Sequence, residues 1–320
     1  MNKIEFGTDG WRGIIAYDFT IANVMKVSQA VANYLKTKKN PAVMIGYDMR
    51  FMAGKFAETC ASVMAANNIK VYLSDSPLPT PATAVNAVKN KVTGAIMFTA
   101  SHNPAEFLGF KYMTAEGATA PSAVTDKFQK NVNSVKSEKD IRSMDFSQAL
   151  KEKKVVYVDP IPAYKNALSK LVDVAKIKSQ GLKILFNPMY GSGQGYLDSF
   201  LSGGKTKIDI MNSTKDPLFG GVHPEPIVKE NVLDQIKTMK TGKYDIGIAF
   251  DGDADRVGLI DEKGNFISSL DAFLLSAYYF WHVLGDKRSI VRTRSNTVTI
   301  DHLAAKLGRT SYEVKVGFKY

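Results

Sequence analysis

Asp251, Asp253 and Asp255 alternate with small residues in the run DGDADR, directly after the apolar stretch YDIGIAF. Three carboxylates at i, i+2 and i+4 at the carboxyl end of a strand lie where open α/β sheets bind ligands. Crowding that much negative charge is costly unless a cation compensates, and all-oxygen ligation favours a hard ion such as magnesium. Arg256, next in line, could reach a phosphate beside the metal. The run also suits a solvated acidic loop or a calcium turn, although a strand rather than a helix precedes it, which excludes an EF-hand.

A second run, FTASHNPAEF at 98–107, places Ser101, His102 and Asn103 at the end of the apolar stretch TGAIMF and stops them with Pro104. A serine can accept a phosphoryl group if a base helps to remove its proton and cations neutralise the oxygens. His102 and Lys111 are candidates for that help; an ordinary turn with a hydrogen-bonded structural histidine is the alternative for the run alone. In FGTDGWRG at 6–13, three glycines surround Thr8, Asp9 and Arg12. Small backbone beside a guanidinium suits a phosphate cradle formed by Thr8, Gly10 and Arg12. YDMR at 47–50 adds Asp48 and, as a further candidate phosphate contact, Arg50, after another strand end.

These residues need elements to carry them, and strands and helices alternate from the start, which argues for an α/β fold with mixed, mostly parallel sheets. Thr20 is expected to cap a helix whose inner face is Val24, Val27, Val31 and Leu35; AVMIGYD reads as the first buried strand. A helix over 53–67, strand KVYLS, a helix over 80–90 and strand TGAIMF continue the rhythm to a polar stretch, NVNSVKSEKDIRSMD. The first domain is therefore expected to cover 1–150. A second, over 151–256, opens with KVVYVDPIPAYKNALSKLVD and runs through LKILFNP, the turn GSGQG, KIDIM and YDIGIAFD. A third unit, 257–320, takes the hairpin VGLIDEKGNFI, an apolar helix from Asp271, strand SIVRT and helix TVTIDHLAAKLG. It has fewer elements than the others and stops just after a strand, leaving an edge exposed. The expectation is an abrupt finish or the front part of something longer.

The chain has 320 residues, 45% hydrophobic and 23% charged, as in globular proteins of more than one domain. AFLLSAYYFWHVLG, from Ala272, is too short for a membrane span and reads as a buried helix. The start, MNKIEFGTDG, lacks the apolar core of a signal peptide, so a cytoplasmic location is expected. One cysteine, Cys60, excludes an internal disulfide or a thiolate metal cluster and reads as a small core residue. The sequon at Asn212 is then a chance match. A net charge of +11 suits acidic partners. The lysines are scattered, as in KTKKN and KEKK, and are not interleaved with aromatics, which favours a solvated basic surface or anionic small substrates over nucleic acid.

FGTDGWRG, TASHNP followed by GFK, and DGDADR, in that order, resemble the α-D-phosphohexomutase superfamily, the phosphoglucomutases and phosphomannomutases, over essentially the whole chain. The resemblance implies that Ser101 carries a phosphoryl group. Asp251, Asp253 and Asp255 would hold Mg2+ together with an oxygen of that phosphoserine. Arg12, His102 and Lys111 match acid, base and electrostatic positions, and Arg256 matches a residue near the sugar phosphate. Gly317 and Lys319 match the family just before its sugar-reading loop. The implied reaction interconverts hexose 1-phosphate and hexose 6-phosphate through a hexose 1,6-bisphosphate. The wording of DGWRG and TASHNP leans towards phosphoglucomutase, with glucose 1,6-bisphosphate as activator, over phosphomannomutase or phosphoglucosamine mutase.

The chain also departs from the family. Leu108 stands where an asparagine is usual before GFK, and HPEPIVKENV is a loose match to a stretch ending PENL. Neither a GEESGG-like loop nor an SGTEP-like loop is found, so the third domain is expected to be incomplete and the fourth absent. A non-catalytic sugar-phosphate-binding fragment and an aspartyl-phosphate phosphatase are the rival readings. The phosphatase motif differs where Asp255 and Arg256 stand. The oligomeric state is left open.

Overall fold

A computed structural model describes residues 4–7 and 10–316. Its first sheet is built from β1 (Trp11–Ile14), β2 (Ala42–Tyr47), β3 (Lys70–Ser74), β4 (Gly94–Phe98), β5 (Phe107–Thr114) and β6 (Val155–Val158), in the spatial order β1-β5-β4-β2-β3-β6. β4, β2, β3 and β6 are parallel; β5 runs antiparallel to β4, and β1, antiparallel to β5, runs in the direction of the others. Helices α1 (Ile21–Leu35), α2 (Ala53–Ala66), α3 (Thr80–Lys89) and α4 (Ser122–Ser134) cover it. Thr20 caps α1 by accepting from the Asn23 amide, and Val24, Val27, Val31 and Leu35 are buried, as the spacing requires. All five residues of β4 are buried, so every second side chain meets a different covering layer. On one face Phe98 packs edge-on against Phe110 at 5.3 Å and Phe19 stacks on Trp11 at 4.5 Å.

The second sheet takes β7 (Lys183–Asn187), β8 (Lys207–Ile210), β9 (Ile246–Phe250), β10 (Val257–Asp261) and β11 (Phe266–Ile267) in the order β11-β10-β9-β7-β8. β12 (Ile290–Thr293) and β13 (Ser311–Val314) form a separate parallel pair. The sheets are mixed, with six parallel pairings against four antiparallel ones.

Three expectations need correction. β6, expected to open the second unit, joins the first sheet because Val155–Val158 pairs with Val71–Ser74. The hairpin VGLIDEKGNFI, expected to open the third unit, belongs to the second sheet: after DGDADR the chain turns back and β10 pairs with all of β9. By pairing, β6 belongs to the first sheet and β10 and β11 to the second. The apolar helix, Ser269–Tyr278 continuing as a wide turn to Val283, is not a buried helix. Only Ala277 and Trp281 are buried, while Leu275, Phe280 and Val283 are about half exposed. Its one packing layer comes from Ile300, Ala304 and their neighbours. Among the described residues no helix is long and apolar enough to cross a membrane.

Candidate active site at the seam between the sheets

Strand β4 ends at Phe98, and the chain turns at once through Ser101 with φ +55°, a left-handed conformation uncommon outside glycine. Local bonds hold the turn: the Ser101 amide donates to Thr99 Oγ1 at 2.8 Å and the Asn103 amide to the Ala100 carbonyl at 3.1 Å. The Ser101 side chain is thereby presented to the second sheet. Its hydroxyl donates to Asp251 Oδ2 at 2.9 Å and lies 3.3 Å from His102 Nδ1.

Asp251 follows β9, and the loop to β10 is tight, with Ala254 at φ +53°. Asp251 Oδ1 accepts the amides of Asp255 and Arg256 at 2.9 and 3.0 Å. Asp251, Asp253 and Asp255 bring ligand oxygens within 4.8 Å of one another. Gly252 lets the two loops meet, since a Cβ there would lie 2.5 Å from the Ser101 carbonyl oxygen.

Asp251 and Asp253 are fully buried. Burial and the charges of Asp253 and Asp255 push the Asp251 carboxyl up from its ordinary range. Asp253 goes the other way: burial opposes its charge, but Lys111 and the Thr80 hydroxyl outweigh that and hold its pKa low. Lys111 Nζ lies 3.1 Å from Asp253 Oδ2 and 3.5 Å from Asp255 Oδ2. Its ammonium form, disfavoured by burial, is retained because these two carboxylates raise its pKa. The lowered pKa of His102 comes first from burial and then from Arg256.

Asp253 Oδ1 is buried without a hydrogen-bond partner, whereas Oδ2 has Thr80 and Lys111. An orphaned carboxylate oxygen inside a triad of hard oxygen donors fits a divalent cation. Asp251, Asp253 and Asp255 are the residues that could hold Mg2+, with Ser101 Oγ beside them.

Arg12, opposite Gly109 in the β1–β5 register, hydrogen-bonds the Asn103 side chain through Nη1. Gly10, at φ +123°, leaves no room for a side chain, because a Cβ would lie 2.1 Å from the Phe110 carbonyl oxygen. Arg256 is partly exposed and paired to Glu225 at 2.7 Å. Thr8, Gly317 and Lys319 lie outside the described residues.

Arg50 was expected to bind phosphate and is placed otherwise. It is 3% exposed, and its guanidinium is committed to Asp48 and to carbonyls of the serine turn. Sequence reasoning missed Thr80, which donates to Asp253 Oδ2 at 2.6 Å, Glu225 and Phe219. Glu225 lies within HPEPIVKENV, so that segment did carry a signal; Thr80 and Phe219 had none.

Two consecutive α/β units that press a serine turn against an aspartate loop narrow the possibilities to a distinct class of fold. The family model described as phosphoglucomutase/phosphomannomutase alpha/beta/alpha domain I matches residues 3–139, and the domain II model matches 162–264. The chain belongs to the phosphoglucomutase/phosphomannomutase family, in the α-D-phosphohexomutase superfamily. It is 30% identical over 307 residues to phosphoglucomutase 1 of Drosophila melanogaster, an alignment covering 87% of this chain and 55% of that protein. It is 29% identical over 265 residues to the phosphoglucosamine/phosphogalactosamine mutase of Sulfurisphaera tokodaii, covering 82% of this chain and 56% of that one. A solved Thermus thermophilus structure named for phosphomannomutase superposes with a TM-score of 0.90 at 29% identity, covering 99% of this chain and 70% of its own. The chain thus spans a little over half the length of these two curated relatives.

Proposed function

We propose that the protein is a hexose-phosphate mutase, working on glucose phosphates, in which Ser101 carries the transferred phosphoryl group. The observation that carries this reading is the placement of Ser101 Oγ 2.9 Å from Asp251 in the aspartate triad, with Lys111 alongside. In the forward half-reaction, Ser101 Oγ attacks a phosphorus of glucose 1,6-bisphosphate. The Oγ–P bond forms, the P–O bond to the sugar breaks, and the sugar oxygen leaves with the electron pair and takes up a proton from solvent to become a hydroxyl. The serine proton passes to an adjacent acceptor, His102 Nδ1, whose lowered pKa keeps the imidazole neutral near pH 7. Lys111 and Arg12 would neutralise phosphoryl oxygens, and Arg256 is the candidate contact for the sugar phosphate. Bound Mg2+ would supply charge neutralisation at the transferring phosphoryl group.

Under the same proposal the chain comprises the family's first domain, its second domain and part of its third. The preference for glucose rests on the DGWRG and TASHNP wording and on the Drosophila relative's name.

Intact-mass spectrometry of this chain, before and after exposure to glucose 1,6-bisphosphate and Mg2+, tests the first half-reaction. One added phosphoryl group, acid-stable and mapped to Ser101, with none gained by Ser101→Ala, is the expected result. No gain, or an acid-labile group on Asp251, overturns the proposal.

A further inference from the structure

An arginine guanidinium has five N–H donors in a fixed fork, and at Arg50 the four on Nη1 and Nη2 are hydrogen-bonded to backbone carbonyls, while Nε has only an ion-pair contact. Nη1 donates to the carbonyls of Pro104 and Phe107 at 2.7 and 2.9 Å. Nη2 donates to the carbonyls of Ser101 and Asn103 at 2.8 and 2.7 Å. Nε pairs with Asp48 Oδ2 at 3.2 Å, and both side chains are fully enclosed. Nε, the one donor without a hydrogen bond, is enclosed against the Asp48 carboxylate and is not open to a phosphate. The four carbonyls belong to one loop, from the nucleophile to the start of β5; that of Ser101 is buried and needs a partner, and that of Pro104 also accepts from the Phe107 amide.

The guanidinium is itself held from three directions. Asp48 also accepts the Arg50 amide at 3.0 Å, fixing the turn after β2. The Thr99 hydroxyl counters part of the upward push that burial gives the Asp48 carboxyl, and Thr99 Oγ1 receives the Ser101 amide. From the second unit, the buried Phe219 ring lies 4.9 Å from the guanidinium carbon and covers its face. The Ser101 carbonyl that Arg50 grips is the one against which Gly252 of the aspartate loop packs. One cation therefore fixes the nucleophile's unusual backbone and the distance from its loop to the aspartates.

We propose that Arg50 is the positioning residue of the phosphoryl-accepting turn, clamping loop 101–107 through its carbonyls while Phe219 locks the clamp to the second unit. The effect on chemistry rests on the mutase reading above. A nucleophile displaced by about 1 Å loses on the order of a hundredfold in rate, and lysine, a point charge with three donors, cannot reproduce the fork.

Arg50→Lys keeps the charge and is the informative variant; Phe219→Leu removes the ring while keeping an apolar side chain. Two readouts apply to the intact chain. The first is hydrogen exchange at the Ser101, Asn103 and Phe107 amides. It should accelerate at least tenfold in Arg50→Lys and less in Phe219→Leu, with β2 amides unchanged; unaltered exchange in the loop overturns the clamp. The second is the single-turnover rate of Ser101 phosphorylation by glucose 1,6-bisphosphate at saturating Mg2+. It should fall about a hundredfold with little change in the half-saturating bisphosphate concentration. A lowered melting temperature with an unchanged rate per folded molecule would make Arg50 merely structural and overturn positioning. A wild-type chain that takes no phosphoryl group overturns the mutase reading instead, and loop exchange still decides the clamp.

Discussion

Replacing Lys111 with methionine should move two quantities in opposite directions. Nζ lies 3.1 Å from Asp253 Oδ2 and 3.5 Å from Asp255 Oδ2, which at an effective dielectric constant of about 20 corresponds to a gross attraction of about 5 kcal/mol for each pair. Desolvation cancels much of that, because Asp253 is fully enclosed and the lysine side chain is only 14% exposed. What remains on deleting one partner of a buried pair is about 3–5 kcal/mol, the cost of leaving carboxylates without their counter-ion. Without metal, Lys111→Met should therefore lower the melting temperature by roughly 6 °C or more.

Mg2+ binding should respond the other way. Lys111 is a resident cation beside the oxygens a divalent ion would take, and it must be repelled or reoriented when that ion arrives. Recovering even about 1.4 kcal/mol of that conflict tightens binding tenfold. Calorimetric titration of Mg2+ into wild type and Lys111→Met, with melting curves at both metal extremes, measures each half. Saturating Mg2+ should restore most of the lost stability. Unchanged or weaker Mg2+ binding in the variant would refute the counter-ion argument and mean that Lys111 chiefly orients Asp253.

Gly252→Ala places a Cβ 2.5 Å from the Ser101 carbonyl oxygen, so the serine and aspartate loops must part. Ser101 phosphorylation should fall at least tenfold at saturating Mg2+, measured by the same mass assay, and a normal rate would show that the loops yield freely. Cys60 is fully buried and its thiol is pushed up to about 12, so the reactive thiolate is scarce at any ordinary pH. Alkylation between pH 7 and 9 should be negligible in the folded protein and should consume one thiol in denaturant. Fast reaction of the native protein would contradict this packing.

The sequence made the strand ends legible because chemistry and periodicity coincide there. β4 is an unbroken apolar run that stops at TASHNP, and β9 is one that stops at DGDADR. Ser101 and the three aspartates could thus be picked out before any contact between them was known. The sheet membership of β6 and β10 was illegible for a related reason: polar stretches and motifs mark where elements stop, whereas β6 and β10 are assigned by their pairing partners, Val71–Ser74 and Ile246–Phe250. Arg50 was noticed for its type and misplaced in role, since a guanidinium after a strand end can meet a phosphate or four carbonyls with equal chemical logic. Thr80 was invisible, because a threonine at the start of α3 advertises nothing about an aspartate 173 positions away. The exposed flank of the Ser269–Tyr278 helix was also illegible: hydrophobicity records what a surface prefers, not what covers it.

The contact between Gly252 and the Ser101 carbonyl has a mechanical consequence. It leaves no slack along the line joining nucleophile and aspartates, and Phe219 over Arg50 and Thr80 on Asp253 act as further rivets across the same joint. A joint fastened at several points transmits displacement and does not absorb it. If a sugar bisphosphate is to offer first one end and then the other to Ser101, the anvil stays still and the workpiece has to be turned.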